Sequence, residues 1–335
     1  MKGRALRIGT GLAGLAGLTG FVLLIAYHNV AELTDLLLGA SWGIALVTIA
    51  HILPMAASAL GWYEIARPLW PPRYAVFLWA RLVRESADAL LPLTQIGGDV
   101  IAARLLTIHG ARAVDASATA LVDLTLEFVT QIAFTAVGIV LLVMLNGAVE
   151  PVRWALLGLA IAVLAAAGFL LAQRWGMFSL LELFLDRMAK QLGWPALGAL
   201  SGLHETIISI YRRRRVVGVS VFWHLVSWLL GTVEMWLALR FLGIDIGVGG
   251  ALVIESLGQA MRSAAFLVPG ALGVQEGGFL ILAVHFGLAP EVGLSLSLIR
   301  RIREAVLGIP ALVAWQVIEG RRLFDATRRA GDEQR

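Results

Sequence analysis

The sequence predicts an all-α polytopic membrane protein, and three observations carry that prediction. Hydrophobic residues make up 59% of the 335 and charged ones 15%, well outside the norm for soluble domains. Several continuous apolar runs approach or exceed the roughly 20 residues that cross a bilayer. Basic residues gather at the ends of those runs, as in Lys2, Arg4 and Arg7, Arg67 and Arg73, Arg212 to Arg215, and Arg321, Arg322, Arg328 and Arg329. That is the positive-inside pattern. The runs do not alternate with period two, which excludes a β-barrel. Because the net charge of +4 sits in these anchors, nucleic acid is not an expected partner. The chain has no cysteine, so disulfides, haem-thiolate and iron–sulfur ligation are excluded.

The elements follow in order within a single transmembrane domain, 1–335. Residues 8–27 read as a retained first span, since no small-x-small cleavage pattern marks a signal peptide. Its basic flank puts the N terminus in the cytoplasm. Residues 39–61 return inward and end before a rigid Trp70-Pro-Pro-Arg73 turn. Residues 74–110 form a broken segment: Arg81, Arg84, Glu85 and Asp88 lie about one helical turn apart and can pair along one face. Pro92, Gly97 and Gly98 then interrupt the helix. Residues 118–145 span again and carry Asp123 and Glu127 on one face. Residues 154–172 return to the cytoplasm. Residues 177–212 read as an interfacial amphipathic linker on the cytoplasmic face, ending in Arg212–Arg215, which can meet anionic phospholipid head groups or simply anchor the topology.

Residues 216–242 form the next span, and a second broken segment follows, interrupted at Pro269, Gly270, Gly273, Gly277 and Gly278. It is crowded with Glu255, Gln259, Arg262, Gln275, Glu276, Arg300, Arg301, Arg303 and Glu304. Ionisable groups at membrane depth are costly, so a functional site is the default reading of them. The last span ends near Ile318, with a basic cytoplasmic tail.

The two broken segments overlay. An offset of 177 residues lays Ser86 on Ser263, Pro92 on Pro269, Asp99 on Glu276, Leu105 on Leu282, Gly110 on Gly287 and Glu127 on Glu304. Glu85 falls on Arg262 and Asp123 on Arg300, with the charge exchanged. The units are about 39–145 and 216–320. Positive-inside reasoning starts the first broken segment in the cytoplasm and the second outside, so the repeats are inverted, with broken or re-entrant helices. Inverted repeats with Gly/Pro-interrupted helices are a transporter architecture with the site at the repeat interface. An ancient duplication whose kinks only aid packing is the plainer alternative.

The phrases Arg262-Ser-Ala-Ala-Phe-Leu-Val-Pro-Gly-Ala-Leu-Gly-Val-Gln-Glu-Gly-Gly278 and Leu91-Pro-Leu-Thr-Gln95-Ile-Gly-Gly-Asp99 resemble the lysylphosphatidylglycerol synthase transmembrane-region superfamily, also called flippase-like, over nearly the whole chain. Within it the wording looks most like the hopanoid-biosynthesis-associated HpnL branch. The resemblance implies a bacterial inner-membrane protein that moves hopanoid, or a related amphiphilic lipid, across or out of that membrane. Relatives that aminoacylate phosphatidylglycerol carry a separate catalytic domain, and the short tail after Ile318 is expected to leave no room for one.

Glu276 is the first candidate for binding a head group or carrying a proton, because its glycine neighbours permit close backbone approach. Its alternative is a helix-start carboxylate stabilised by free amides. Asp99 is its repeat mate, with Gln95 and Gln275 beside the two acids. Arg262, Arg300, Arg301 and Arg303 are candidates for a phosphate-bearing head group or partners for Glu276 and Glu304. Arg300 and Glu304 are expected to face Asp123 and Glu127 across the pseudo-axis. No metal-ligand spacing and no nucleotide loop is present in the sequence, so no cofactor or metal is expected. The reading is a transporter rather than an enzyme. Its alternatives are an intramembrane lipid-modifying enzyme and a non-transporting scaffold of a lipid-synthesis complex, the latter requiring fully paired charges and no open cavity.

Overall fold

A computed structural model describes residues 19–332 apart from 21, 25, 29, 72, 92–95, 147–148 and 175–201. Among the described residues every regular element is helical: α1 Val30–Ala40, α2 Trp42–Ala50, α3 Ile52–Ala66, α4 Tyr74–Leu90, α5 Ile96–Ile108, α6 Ala113–Asn146, α7 Val149–Arg174, α8 Leu203–Arg212, α9 Arg214–Phe241, α10 Gly247–Ala264, a 3-10 turn Pro269–Ala271, α11 Val274–His285 and α12 Pro290–Asp332. Four runs are long and apolar enough to cross a membrane: Trp42–Ala66, Ala113–Leu145, Arg153–Gln173 and Arg214–Phe241. They coincide, within a few residues at each end, with the spans read from the sequence after the first. Residues 8–27 lie largely outside the described residues.

Local chemistry sets the interruptions. Pro54 has no N–H to give to the Ala50 carbonyl, so the run from Trp42 to Ala66 divides at His51, whose φ and ψ of −60° and −23° remain helical. Pro92 and Gln95 lie outside the described residues. The start of α5 shows why Gly98 is there. A Cβ at that position would collide with the Asp88 carboxylate and come within 2.6 Å of the Arg84 carbonyl oxygen. The bare N–H instead donates to Asp88 Oδ1 at 2.9 Å. In the second break Gly270 takes a φ of 60°, and a Cβ there would lie 2.8 Å from the Ala89 carbonyl oxygen. The second break therefore sits on the end of α4.

The helices after the breaks end alike. Leu106 accepts from the Ala111 N–H at 3.1 Å, closing α5, and Ala283 accepts from the Leu288 N–H at 3.0 Å, closing α11. Gly110 and Gly287, at φ of 98° and 71°, supply the left-handed residue that such an ending needs. At 1.5 Å per residue, the 13 residues of α5 and 12 of α11 reach about 20 Å, short of a hydrocarbon core of about 30 Å.

Packing is reciprocal. The tightest pair is α3 on α9, while α4 lies on α12 and α6 on α10. One apolar core gathers Trp62, Phe77, Leu105 and Leu106 around α3, α4 and α5, and another gathers Ile139, Leu239, Ile254, Phe279 and Ile299 around α6 and α9 to α12. The α8 helix buries Leu203, Ile207 and Ile210 against α6. The rest of the expected linker, 177–201, lies outside the described residues. The outermost wall is α7, only 6% of whose apolar window is buried. Leu156, Leu157, Ile161 and Leu164 are exposed there, a surface suited to acyl chains rather than water. The 43-residue α12 carries Pro310 inside it.

Candidate functional site

One helical face on each of several elements turns its polar residues inward: Arg81, Arg84, Glu85 and Asp88 of α4; Glu127 and Gln131 of α6; Ser227 and Glu234 of α9; Glu255, Gln259, Arg262 and Ser263 of α10; Arg303 and Glu304 of α12. With His51 and Asp99 they line a cavity of about 570 Å³. Leu124, Phe128, Ala165, Phe169, Phe266 and Leu307 also line it, so the cavity offers both charged and apolar surface. Its lining holds the carboxylates of Glu85, Asp88, Asp99, Glu127, Glu234, Glu255 and Glu304 against the guanidiniums of Arg81, Arg84, Arg262 and Arg303.

On the α4 side, Arg81 forks onto Glu127, with Nη1 2.8 Å from Oε2 and Nη2 2.5 Å from Oε1, and donates from Nε to Glu85 at 2.7 Å. Arg84 donates to Asp123 at 3.2 Å and to Glu127 at 3.1 Å. The other oxygen of Asp123 meets His224 Nε2 at 3.0 Å. These are two-pronged guanidinium–carboxylate contacts of the kind that hold position as well as charge. Asp99 differs. Arg84 Nε lies 2.8 Å from its Oδ1, but among the described residues neither Asp99 oxygen accepts a hydrogen bond.

On the α12 side, Arg300 binds Glu255 and lies over the Phe279 ring at 5.0 Å. Gln259 donates to the second Glu255 oxygen at 3.0 Å. Glu304 accepts from Arg262 at 2.7 Å and from Arg301 at 3.1 Å. Arg303 binds Glu234. Gln131 of α6 donates to Ser263 of α10 at 2.8 Å, tying two walls together.

Several expectations change here. Arg300 and Glu304 do not face Asp123 and Glu127. Because α6 packs on α10 and α12 packs on α4, α6 meets the long arginines of α4, and the α12 charges find partners on α9, α10, α11 and α12 itself. Glu276 is fully buried and lies behind the cavity rather than in its lining. Its carboxylate accepts from the Gly273 N–H at 2.6 Å, Ser297 Oγ at 3.1 Å and Arg301 Nε at 3.0 Å. The structure thus gives Glu276 the helix-start role. Gln275 accepts from Arg262 at 3.3 Å. The open approach expected at Gly278 is filled by Met261, whose Sδ and Cε lie 2.9 Å from where a Cβ would be. Arg212 to Arg215 are exposed at the α8–α9 junction.

Sequence reasoning passed over His51 and Glu234 as site residues, and His224 behind them. Each is an ionisable group in an otherwise apolar span, which is itself the signal. Their partners are distant in sequence, His51 lying 183 residues from Glu234, so no local spacing exposes them.

The family model for the lysylphosphatidylglycerol synthase TM region matches residues 11–311. No curated protein matches the chain. No solved structure matches it either.

Proposed function

The chain belongs to the lysylphosphatidylglycerol synthase transmembrane-region family, and from that premise we propose that it moves an amphiphilic lipid between or out of the leaflets of a bacterial inner membrane. Hopanoid, the cargo suggested by the likeness to the HpnL branch, is the first lipid to test. The observation that carries this reading is the cavity itself. Its charged lining residues suit a polar head group, and its apolar ones, Phe128, Phe169 and Phe266 among them, suit a hydrocarbon body. The open cavity favours transport over a scaffold, which calls for none. In this proposal Asp99, Glu127, Arg262, Arg303 and Glu304 meet the head group, and Glu276, Arg300 and Arg301 hold the second break.

The inverted-repeat reading belongs to the same proposal, with units of about 39–145 and 216–320 and both termini cytoplasmic. Three features support it: matched helix endings at Gly110 and Gly287, reciprocal packing of α4 on α12 and α6 on α10, and broken helices too short to cross alone, which suits re-entrance. Arg212–Arg215 would rest on anionic phospholipid at the cytoplasmic face.

The test is leaflet exchange of labelled lipids, hopanoid and phospholipid, in liposomes carrying the full chain. The wild type should accelerate exchange of at least one lipid. Asp99→Asn should slow it about tenfold, a loss of about 1.4 kcal/mol, whereas Glu276→Gln, once folded, should change it little. Exchange no faster than in empty liposomes for every lipid tried would defeat the reading.

A further inference from the structure

His51 sits at the joint between α2 and α3 with both ring nitrogens on carboxylates. Nδ1 lies 2.8 Å from Glu234 Oε2 of α9, and Nε2 lies 3.1 Å from Glu85 Oε2 of α4. A neutral imidazole has a single N–H and one lone pair. With carboxylates on both sides, one contact would then set a nitrogen lone pair against a carboxylate oxygen. Each carboxylate also has its other oxygen on an arginine, Glu85 on Arg81 and Glu234 on Arg303, which keeps both acids ionised. The proton the geometry requires therefore belongs on the ring.

We infer that His51, Glu85 and Glu234 form a binding site for one proton, with an imidazolium bridging α4 to α9 across the cavity wall. The row Arg81–Glu85–His51–Glu234–Arg303 alternates in sign only while His51 is charged. The other ionisable groups on the elements packed around the joint are already engaged: Glu127 and Asp123 of α6 with Arg81 and Arg84, His224 of α9 with Asp123, and Arg300 of α12 with Glu255. None of them supplies a second donor to His51.

The two contacts are unequal, which fixes what proton loss does. The side chain of Glu234 is 6% exposed and that of Glu85 is 30% exposed. Stranding the more buried acid costs more, so a neutral ring keeps Nδ1–H on Glu234 and gives up Glu85. The departing proton passes to water at the Glu85 end, where the cavity is reached. Loss of the proton thus breaks the polar link from His51 to Glu85 of α4, and binding restores it. The site stands on this geometry alone; its use in driving transport rests on the transport reading above.

Two measurements separate these claims. In the full chain in detergent, nitrogen-15 spectra of labelled histidine, with the His51 signals assigned by their loss in His51→Gln, should show both ring nitrogens protonated near neutral pH. As the pH rises, Nε2 alone should lose its proton. In Glu85→Gln, which keeps the ring and removes one carboxylate, His51 should be the neutral Nδ1–H form near neutral pH. A neutral single tautomer for wild-type His51 from about pH 5 to pH 8 overturns the proton site whatever the liposome result. In liposomes, exchange should change with pH by up to about tenfold per unit, the limit for one proton, and become flat in His51→Gln. Equal pH profiles for wild type and His51→Gln overturn the coupling, even with the spectra as expected. If the wild type moves no lipid, the transport reading fails and the spectra still decide the proton site.

Discussion

Asp99 and Glu276 stand 177 residues apart at matching places, each in the first turn of the helix after a break, yet their surroundings are opposite. Glu276 has three donors and is fully buried. Asp99 lines the cavity, with Arg84 Nε 2.8 Å from its Oδ1. On the proposed repeat, the same carboxylate position is a structural pin in one half and part of the cavity lining in the other. The charges around them are also exchanged. In the first half arginines of α4 hold the acids of α6, while in the second Glu255 of α10 holds Arg300 of α12. What the halves share is complementarity between these two helices, rather than the identity of any residue.

The comparison can be broken at its strongest point first. Arg84→Ala leaves Asp99, Asp123 and Glu127 with less or no compensation, and should lower stability by about 3–5 kcal/mol, read as a fall in the melting midpoint in detergent. The cap in the other half should be worth less. Glu276→Gln weakens the contact to the Gly273 N–H and the pairing with Arg301, an expected loss of about 1–2 kcal/mol by the same melt. Gly270→Ala meets both the left-handed backbone and the Ala89 carbonyl, with an expected loss of about 1–2 kcal/mol. Asp99→Asn should move the melt by about 0.5 kcal/mol or less, because it removes a charge that is poorly satisfied to begin with. If Asp99→Asn destabilises as much as Glu276→Gln, the two positions are alike and the contrast fails. The surface contributes little as well: the Arg104–Glu319 pair between α5 and α12, with Arg104 58% exposed, should be worth under about 1 kcal/mol.

The fold was readable where a single stretch of chain decides it. Continuous apolar runs fixed the spans, and glycines at 110 and 287 fixed matched endings because few other residues take a left-handed φ cheaply. Much of the charge placement was readable too, since Arg81, Arg84, Glu85 and Asp88 share one face by helical spacing. Which charge meets which was not. That depends on α6 lying against α10 rather than α12, a tertiary fact with no local trace. The glycines around Glu276 permit close backbone approach, and the structure uses two of them internally: Met261 packs on Gly278 and the Gly273 N–H donates to Glu276 itself. His51 was passed over because no acid lies within one turn of it.

The position of α7 has a mechanical consequence. Ala165 and Phe169 line the cavity while most of the helix is exposed, so among the described residues the chamber at that side is closed by a panel one helix thick, its outer face suited to acyl chains. The stiffness of such a panel is set partly by lateral pressure from outside the protein. Chain order and thickness of the host bilayer therefore become variables of the chamber's shape, and a detergent micelle holds the panel against a different load than a membrane does.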